Sequence, residues 1–130
     1  MSYDFTANDV FEMAEQIERN GAIFYRQAAD DVSDPDAKNF LSDLAVMEDN
    51  HEQTFSGMRK QLTETETAQT VFDPGNEAAS YLKALADTRI FFKKDIDTSS
   101  MEAILKAAIL AEKDSIVFYL GMKDLVPEGL

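Results

Sequence analysis

Three long stretches of this chain carry apolar residues at steps of three and four, and each has a glutamate near its middle. The first stretch contains Phe11, Ala14, Glu18, Gly21, Tyr25 and Ala28. The second contains Leu41, Leu44, Glu48, His51, Phe55, Met58 and Leu62, and the third Met101, Leu105, Ala108, Glu112, Ser115, Tyr119 and Met122. This spacing is typical of helices that pack in bundles. No strand-like alternation of any length interrupts it, so the sequence predicts an all-α fold.

Capping and turn residues set the expected limits of these helices. A capping box from Thr6 to Asp9 begins the first helix, which should run to about Asp31. Asp34 and Pro35 suit the start of a second helix that continues to about Thr65. Ser99 and Glu102 form a second capping box, which opens a helix running to about Leu125.

The connection between the second and third long helices is too long for a tight hairpin, and a short helix is predicted within it, from Glu77 to Thr88. One long crossover connection is typical of some four-helix bundles. The 130 residues therefore predict a single domain, 1–130, with three long helices and one short crossover helix.

Composition excludes several classes of function. The net charge of −13 argues against nucleic acid and anionic membranes as partners, since both are polyanions. The absence of cysteine excludes disulfides, thiolate metal sites and cysteine nucleophiles. The N-terminal sequence lacks a secretory signal and no apolar run is long enough to span a bilayer, so we expect a cytoplasmic protein.

The seam glutamates predict a metal site. In an antiparallel hairpin, Glu18 and Glu48 would lie at one level, about 20 Å from the turn, and Glu112 lies at a similar depth in the third helix. Burying three carboxylates is unfavourable unless protons or a multivalent cation neutralise them. His51 lies three residues after Glu48, on the same helical face. Mixed carboxylate and imidazole ligands suit iron or manganese, and zinc is an alternative.

These motifs resemble the rubrerythrin-like branch of the ferritin-like di-iron carboxylate proteins. The resemblance rests on Glu18 to Tyr25, on "MEDNHEQTF" with Glu48 and His51, and on "AEKDSIVFY" with Glu112 and Tyr119. It implies a bundle of two similar helix pairs, with Glu18, Glu48, His51 and Glu112 as metal ligands and Tyr25 and Tyr119 beside them. It also implies a di-iron oxidoreductase that acts on peroxide or oxygen and takes electrons from a partner protein.

The sequence departs from this family in one respect. A fourth helix with a second Glu-x-x-His motif is missing, and His51 is the only histidine. Three alternatives remain open: the chain is truncated, a homodimer supplies the missing ligands, or the bundle has kept its fold and lost the full site. The last alternative predicts a non-catalytic bundle that acts through protein contacts.

Overall fold

Three long helices make up most of the described chain. The computed structural model describes residues 6–62, Ser80, Ala84 and residues 98–123. The helices are α1 (Ala7–Asp31), α2 (Pro35–Lys60) and α3 (Met101–Met122). The all-α prediction is therefore confirmed for the described residues. The predicted crossover helix, from Glu77 to Thr88, lies outside them except for Ser80 and Ala84, which are both helical.

Side-chain caps start each helix. The Thr6 hydroxyl accepts a hydrogen bond from the Asp9 amide at 3.2 Å, and the Asp9 carboxylate accepts one from the Thr6 amide at 3.0 Å. This is the predicted capping box. Asp34 caps α2 through the Ala37 amide, with Pro35 at the first helical position. In α3 the cap is Ser100 rather than Ser99, because the Ser100 hydroxyl accepts from the Ala103 amide at 3.1 Å.

Helices α1 and α2 form an antiparallel hairpin. Arg19 of α1 pairs with Glu52 of α2 at 2.6 Å, and about two turns further along α1, Arg26 pairs with Asp49. The order of partners reverses between the two helices, as an antiparallel arrangement requires. These ion pairs are largely exposed, so each contributes little free energy of folding. Both are consistent with one register of α1 against α2.

The core lies between the three helices. Its most completely buried large side chains are Val10, Phe11, Ile17, Leu41, Ile104 and Phe118. Burial of a side chain of this size stabilises the fold by about 1.5–3 kcal/mol. The whole predicted seam of α1, from Phe11 to Ala28, is buried. No helix in the described ranges is both long and apolar enough to cross a bilayer.

Three predicted features of the helices are wrong. Helix α2 ends at Lys60, five residues before the predicted end, because the Gln61 and Leu62 amides close a tight turn onto the carbonyls of Met58 and Arg59. The α3 seam is displaced by one residue at its start: Ile104 is fully buried, whereas Leu105 is 37% exposed. Helix α3 itself ends at Met122 rather than near Leu125.

Candidate metal centre

Three predicted ligands converge where α1 and α2 face each other. Glu18, Glu48 and His51 each offer one ligand atom, and these atoms lie within 4.8 Å of one another. The Nδ1 atom of His51 is 3.4 Å from Oε2 of Glu18 and 3.9 Å from Oε2 of Glu48. Because the hairpin is antiparallel, the midpoints of the two helices meet at one level, as the sequence predicts.

The site is buried on one side and open on the other. The Glu18 and Glu48 side chains are almost fully buried, whereas the His51 side chain is 49% exposed. The imidazole therefore lies at the mouth of the site, with the carboxylates behind it. An ion entering from solvent would meet His51 first.

The carboxylates lack a full set of hydrogen-bond partners. Oε2 of Glu18 and Oε1 of Glu48 are buried oxygens without a hydrogen bond. Burial, together with the nearby carboxylates of Glu18 and Glu112, raises the pKa of Glu48 to about 11. The metal-free site therefore holds Glu48 as a neutral acid at pH 7. A proton or a cation must balance the negative charge here.

A neighbouring carboxylate shows how this hairpin neutralises a buried acid without a metal. Glu15 is as buried as Glu18, and its Oε2 atom lies 2.8 Å from Nε of Arg59. A second guanidinium nitrogen of Arg59 donates to Oε1 of Glu15 at 3.1 Å. The sequence pattern did not indicate this pair, because Glu15 lies beside the predicted seam. Among the described residues, Glu48 forms no ion pair with Lys or Arg. Its buried carboxyl group therefore lacks the cationic partner that Glu15 has in Arg59.

Two tyrosines link α1 and α3 through the site. The Tyr25 hydroxyl of α1 donates to Oε1 of Glu112 in α3 at 2.9 Å. Reciprocally, the Tyr119 hydroxyl of α3 donates to Oε1 of Glu18 in α1. Burial and the adjacent carboxylate raise the pKa of both phenols, so both remain hydrogen-bond donors. Tyr25 and Tyr119 thus contact two of the predicted ligands, where the sequence placed them.

Glu112 lies near the other three residues but not among the converging ligand atoms. It interacts with Glu48 and accepts the bond from Tyr25, yet it is outside the group formed by Glu18, Glu48 and His51. Glu112 is only partly buried, since the buried face of α3 runs through Ala111 and Ser115. Of the four residues predicted as ligands, three thus lie close together and Glu112 lies beside them.

A small cavity leads to the ligands. It has a volume of about 210 Å³ and is lined by Glu18, His51, Thr54, Phe55 and Tyr119. The rings of Phe55 and Tyr119 pack against each other with centroids 5.2 Å apart. Thr54, three residues after His51, was not predicted from the sequence. The walls of the cavity combine aromatic surface with the side chains of Glu18 and His51, so a small molecule can approach the site there.

No protein-family model, curated protein or solved structure matches this chain.

Proposed function

We propose that this chain is a ferritin-like metal protein of the rubrerythrin-like type and a di-iron oxidoreductase acting on peroxide or oxygen. The observation that carries the proposal is the convergence of Glu18, Glu48 and His51 within 4.8 Å, with both carboxylates almost fully buried and not paired with Lys or Arg among the described residues. Carboxylate oxygens and an imidazole nitrogen are the ligand set that iron and manganese take in such bundles.

The residues fit one ion directly and a second in part. Glu18, Glu48 and His51 would hold the first ion. Glu112, next to Glu48, would contribute to the second. A symmetric second ion would need another imidazole, and the chain has only one histidine. A homodimer that shares ligands would meet this need, and iron is the preferred metal, with manganese or zinc as alternatives.

The chain's own residues would prepare the site for redox chemistry. Bound iron would supply electrons for the reduction of a peroxide to water, and a partner protein would return them. Tyr25 and Tyr119 would hold Glu112 and Glu18 in fixed orientations through their hydrogen bonds. The cavity beside Phe55 and Thr54 would admit a molecule as small as a peroxide. The largely buried carboxylates would limit the access of bulk water.

Anaerobic loading with Fe(II) tests this function. We expect retained iron after desalting, and new absorbance when peroxide or oxygen is added. Glu48→Gln and His51→Ala should abolish retention. Glu52→Gln is the matched control, because Glu52 lies on the same helix but pairs with Arg19 outside the ligand group. Retention by the Glu48 and His51 variants, or no iron in the unaltered chain, would contradict the proposal.

A non-catalytic bundle that acts through protein contacts is the second candidate. It is favoured by the apolar side chains that α3 exposes, among them Ile109, Ile116 and Leu120. On this alternative the acidic group remains metal-free. Glu48→Gln would then replace a neutral buried acid with a neutral amide of the same size, without loss of any bound ion. Metal analysis of the unaltered chain separates the two functions.

A further inference from the structure

The bonds of Tyr25 and Tyr119 reveal an approximate twofold relation between α1 and α3. Glu112 follows Glu18 by 94 positions, and Tyr119 follows Tyr25 by the same 94. Each tyrosine donates to the glutamate of the other helix. Such reciprocal contacts arise when two antiparallel helices are related by a twofold axis that passes between them. The same step therefore pairs the residues of α1 from Ala7 to Ala28 with residues of α3.

The counterparts differ in how they are covered. On α1, Phe11, Glu15 and Ala22 are buried, and Glu15 contacts Arg59 of α2. Their counterparts on α3, by the same 94-position step, are Leu105, Ile109 and Ile116. These three side chains are 37%, 54% and 57% exposed. Together with Leu120, which is 64% exposed, they form what we call the α3 stripe.

The α3 stripe is a continuous surface on one side of the helix. Its members are separated by four, seven and four residues, which is the spacing of one helical face. Leu110 is also exposed but lies on a different side of α3, whereas Val117 flanks the stripe three residues before Leu120. An exposed apolar surface of this kind, rimmed by charged residues, is typical of an interaction site. The order of residues along the stripe indicates what binds there.

The residues of the α3 stripe are placed symmetrically about its midpoint in the sequence. Its midpoint falls between Glu112 and Lys113. Leu105 and Leu120 are equally far from that midpoint, and so are Ile109 and Ile116. Two copies of α3 that cross antiparallel at this point would place Leu105 of one copy against Leu120 of the other, and Ile109 against Ile116. Such self-complementarity is what an isologous dimer interface requires.

The charged residues follow the same midpoint. Glu112 is as far from it as Lys113, and Glu102 near the start of α3 is as far from it as Lys123 just beyond the end. The antiparallel pair would thus set Glu112 opposite Lys113 and Glu102 opposite Lys123, and symmetry would repeat both contacts. A parallel pair in register would instead place each charged residue opposite its own copy, for example Lys113 opposite Lys113. Charges of this kind fix orientation and register more than affinity.

We propose that α3 pairs with α3 of a second copy of this chain, antiparallel and through the α3 stripe. The second α3 then covers the side of α3 that corresponds to the α2-covered side of α1. Glu112 and Tyr119 border the stripe, so this dimer also forms a wall beside the candidate metal centre. The interface does not depend on bound metal, and it leaves the α1–α2 hairpin within its own chain.

The mass of the full chain in solution tests the surface. Sedimentation equilibrium in chelator-treated buffer should give a dimer of the 14.6 kDa chain. Ile109→Glu and Ile116→Glu should each weaken association by at least about tenfold. Leu110→Glu is the matched control, because it places the same charge on an exposed apolar residue of α3 that is not three or four residues from any member of the stripe. Far-UV circular dichroism confirms that each variant remains helical.

Charge exchange and cross-linking test the register. Glu102→Lys alone and Lys123→Glu alone should each weaken the dimer, and the two together should restore it. The natural chain has no cysteine, so Lys113→Cys should form an intermolecular disulfide on oxidation. Lys106→Cys should not, because antiparallel pairing separates its two copies by about 20 Å. A monomer at every soluble concentration, or a dimer that persists in Ile109→Glu, would overturn the proposal.

Discussion

Replacing Glu48 with Gln should remove a pH dependence from the stability of the metal-free protein. Glu48 is nearly fully buried, and its carboxyl group lies close to Glu18 and Glu112. Burial and these neighbours raise its pKa from 4.5 in the unfolded chain to about 11 in the folded one. Gln has the size of the protonated acid and stays neutral at every pH. The substitution therefore keeps the shape of the site while it removes one ionisable group.

The sign and the size of the effect follow from the protons bound. Between pH 4.5 and the folded pKa, the folded chain holds a proton on Glu48 that the unfolded chain has released. The stability from this group is thus fully present below pH 4.5 and is lost as the pH rises towards 11. One proton changes the free energy of unfolding by about 1.4 kcal/mol per pH unit. The contribution of Glu48 should fall by about 3 kcal/mol from pH 6 to pH 8.

Urea unfolding at pH 6, 7 and 8, in the presence of a chelator, measures this contribution. The difference in slope between the unaltered chain and Glu48→Gln isolates Glu48 from other groups that titrate in the same range. Glu52→Gln provides the control, since Glu52 pairs with Arg19 at a partly exposed position. Equal pH slopes for the unaltered chain and Glu48→Gln would refute the reasoning, because Glu48 would then be ionised in the folded state.

Three further predictions concern other parts of the fold. Arg59→Ala should lower the free energy of unfolding by about 1–3 kcal/mol, because it leaves the buried Glu15 unpaired. Arg19→Ala, which removes an exposed ion pair, should lower it by less than about 1 kcal/mol. Denaturant titration compares the two variants. Gly57→Ala should stabilise α2 by about 0.5–1 kcal/mol in thermal unfolding, since a new Cβ meets no atom within 4 Å, and a loss of stability would contradict this. Adding Fe(II) at about 100 times its Kd should raise the free energy of unfolding by about 2.7 kcal/mol; an equal rise in His51→Ala would show that the ion binds elsewhere.

The sequence predicted the α1–α2 hairpin and its two carboxylates well because the relevant signals are local. The Thr6 and Asp34 caps fix where the helices begin, and a short connection between α1 and α2 makes an antiparallel hairpin the natural arrangement. Because the connection between the two helices is fixed, counting residues from it at the rise per residue of a helix places Glu18 and Glu48 at one level. His51 then follows from its three-residue step along the same helix.

The rotation of α3 could not be predicted from the same pattern. Helix α3 carries apolar residues on most of its circumference, so Ile104 and Leu105 fit a buried seam equally well. The packing against α1 selects Ile104, Ala108 and Ala111 as the buried face, and that choice moves Glu112 to its edge. The sequence-based seam thus placed Glu112 among the ligands, whereas the structure places it beside them.

The relation between α1 and α3 bears on how many ions one chain can hold. The twofold relation pairs Glu18 with Glu112 and Tyr25 with Tyr119, but α2 has no counterpart among the described residues. Glu48 and His51 therefore lie on one side of the axis only, and with them the group of three converging ligands. Because His51 is the only histidine among these 130 residues, they offer no imidazole for a second, equivalent ion. One ion is the stoichiometry expected from Glu18, Glu48 and His51 alone, and two ions per chain would require an imidazole that these residues do not supply.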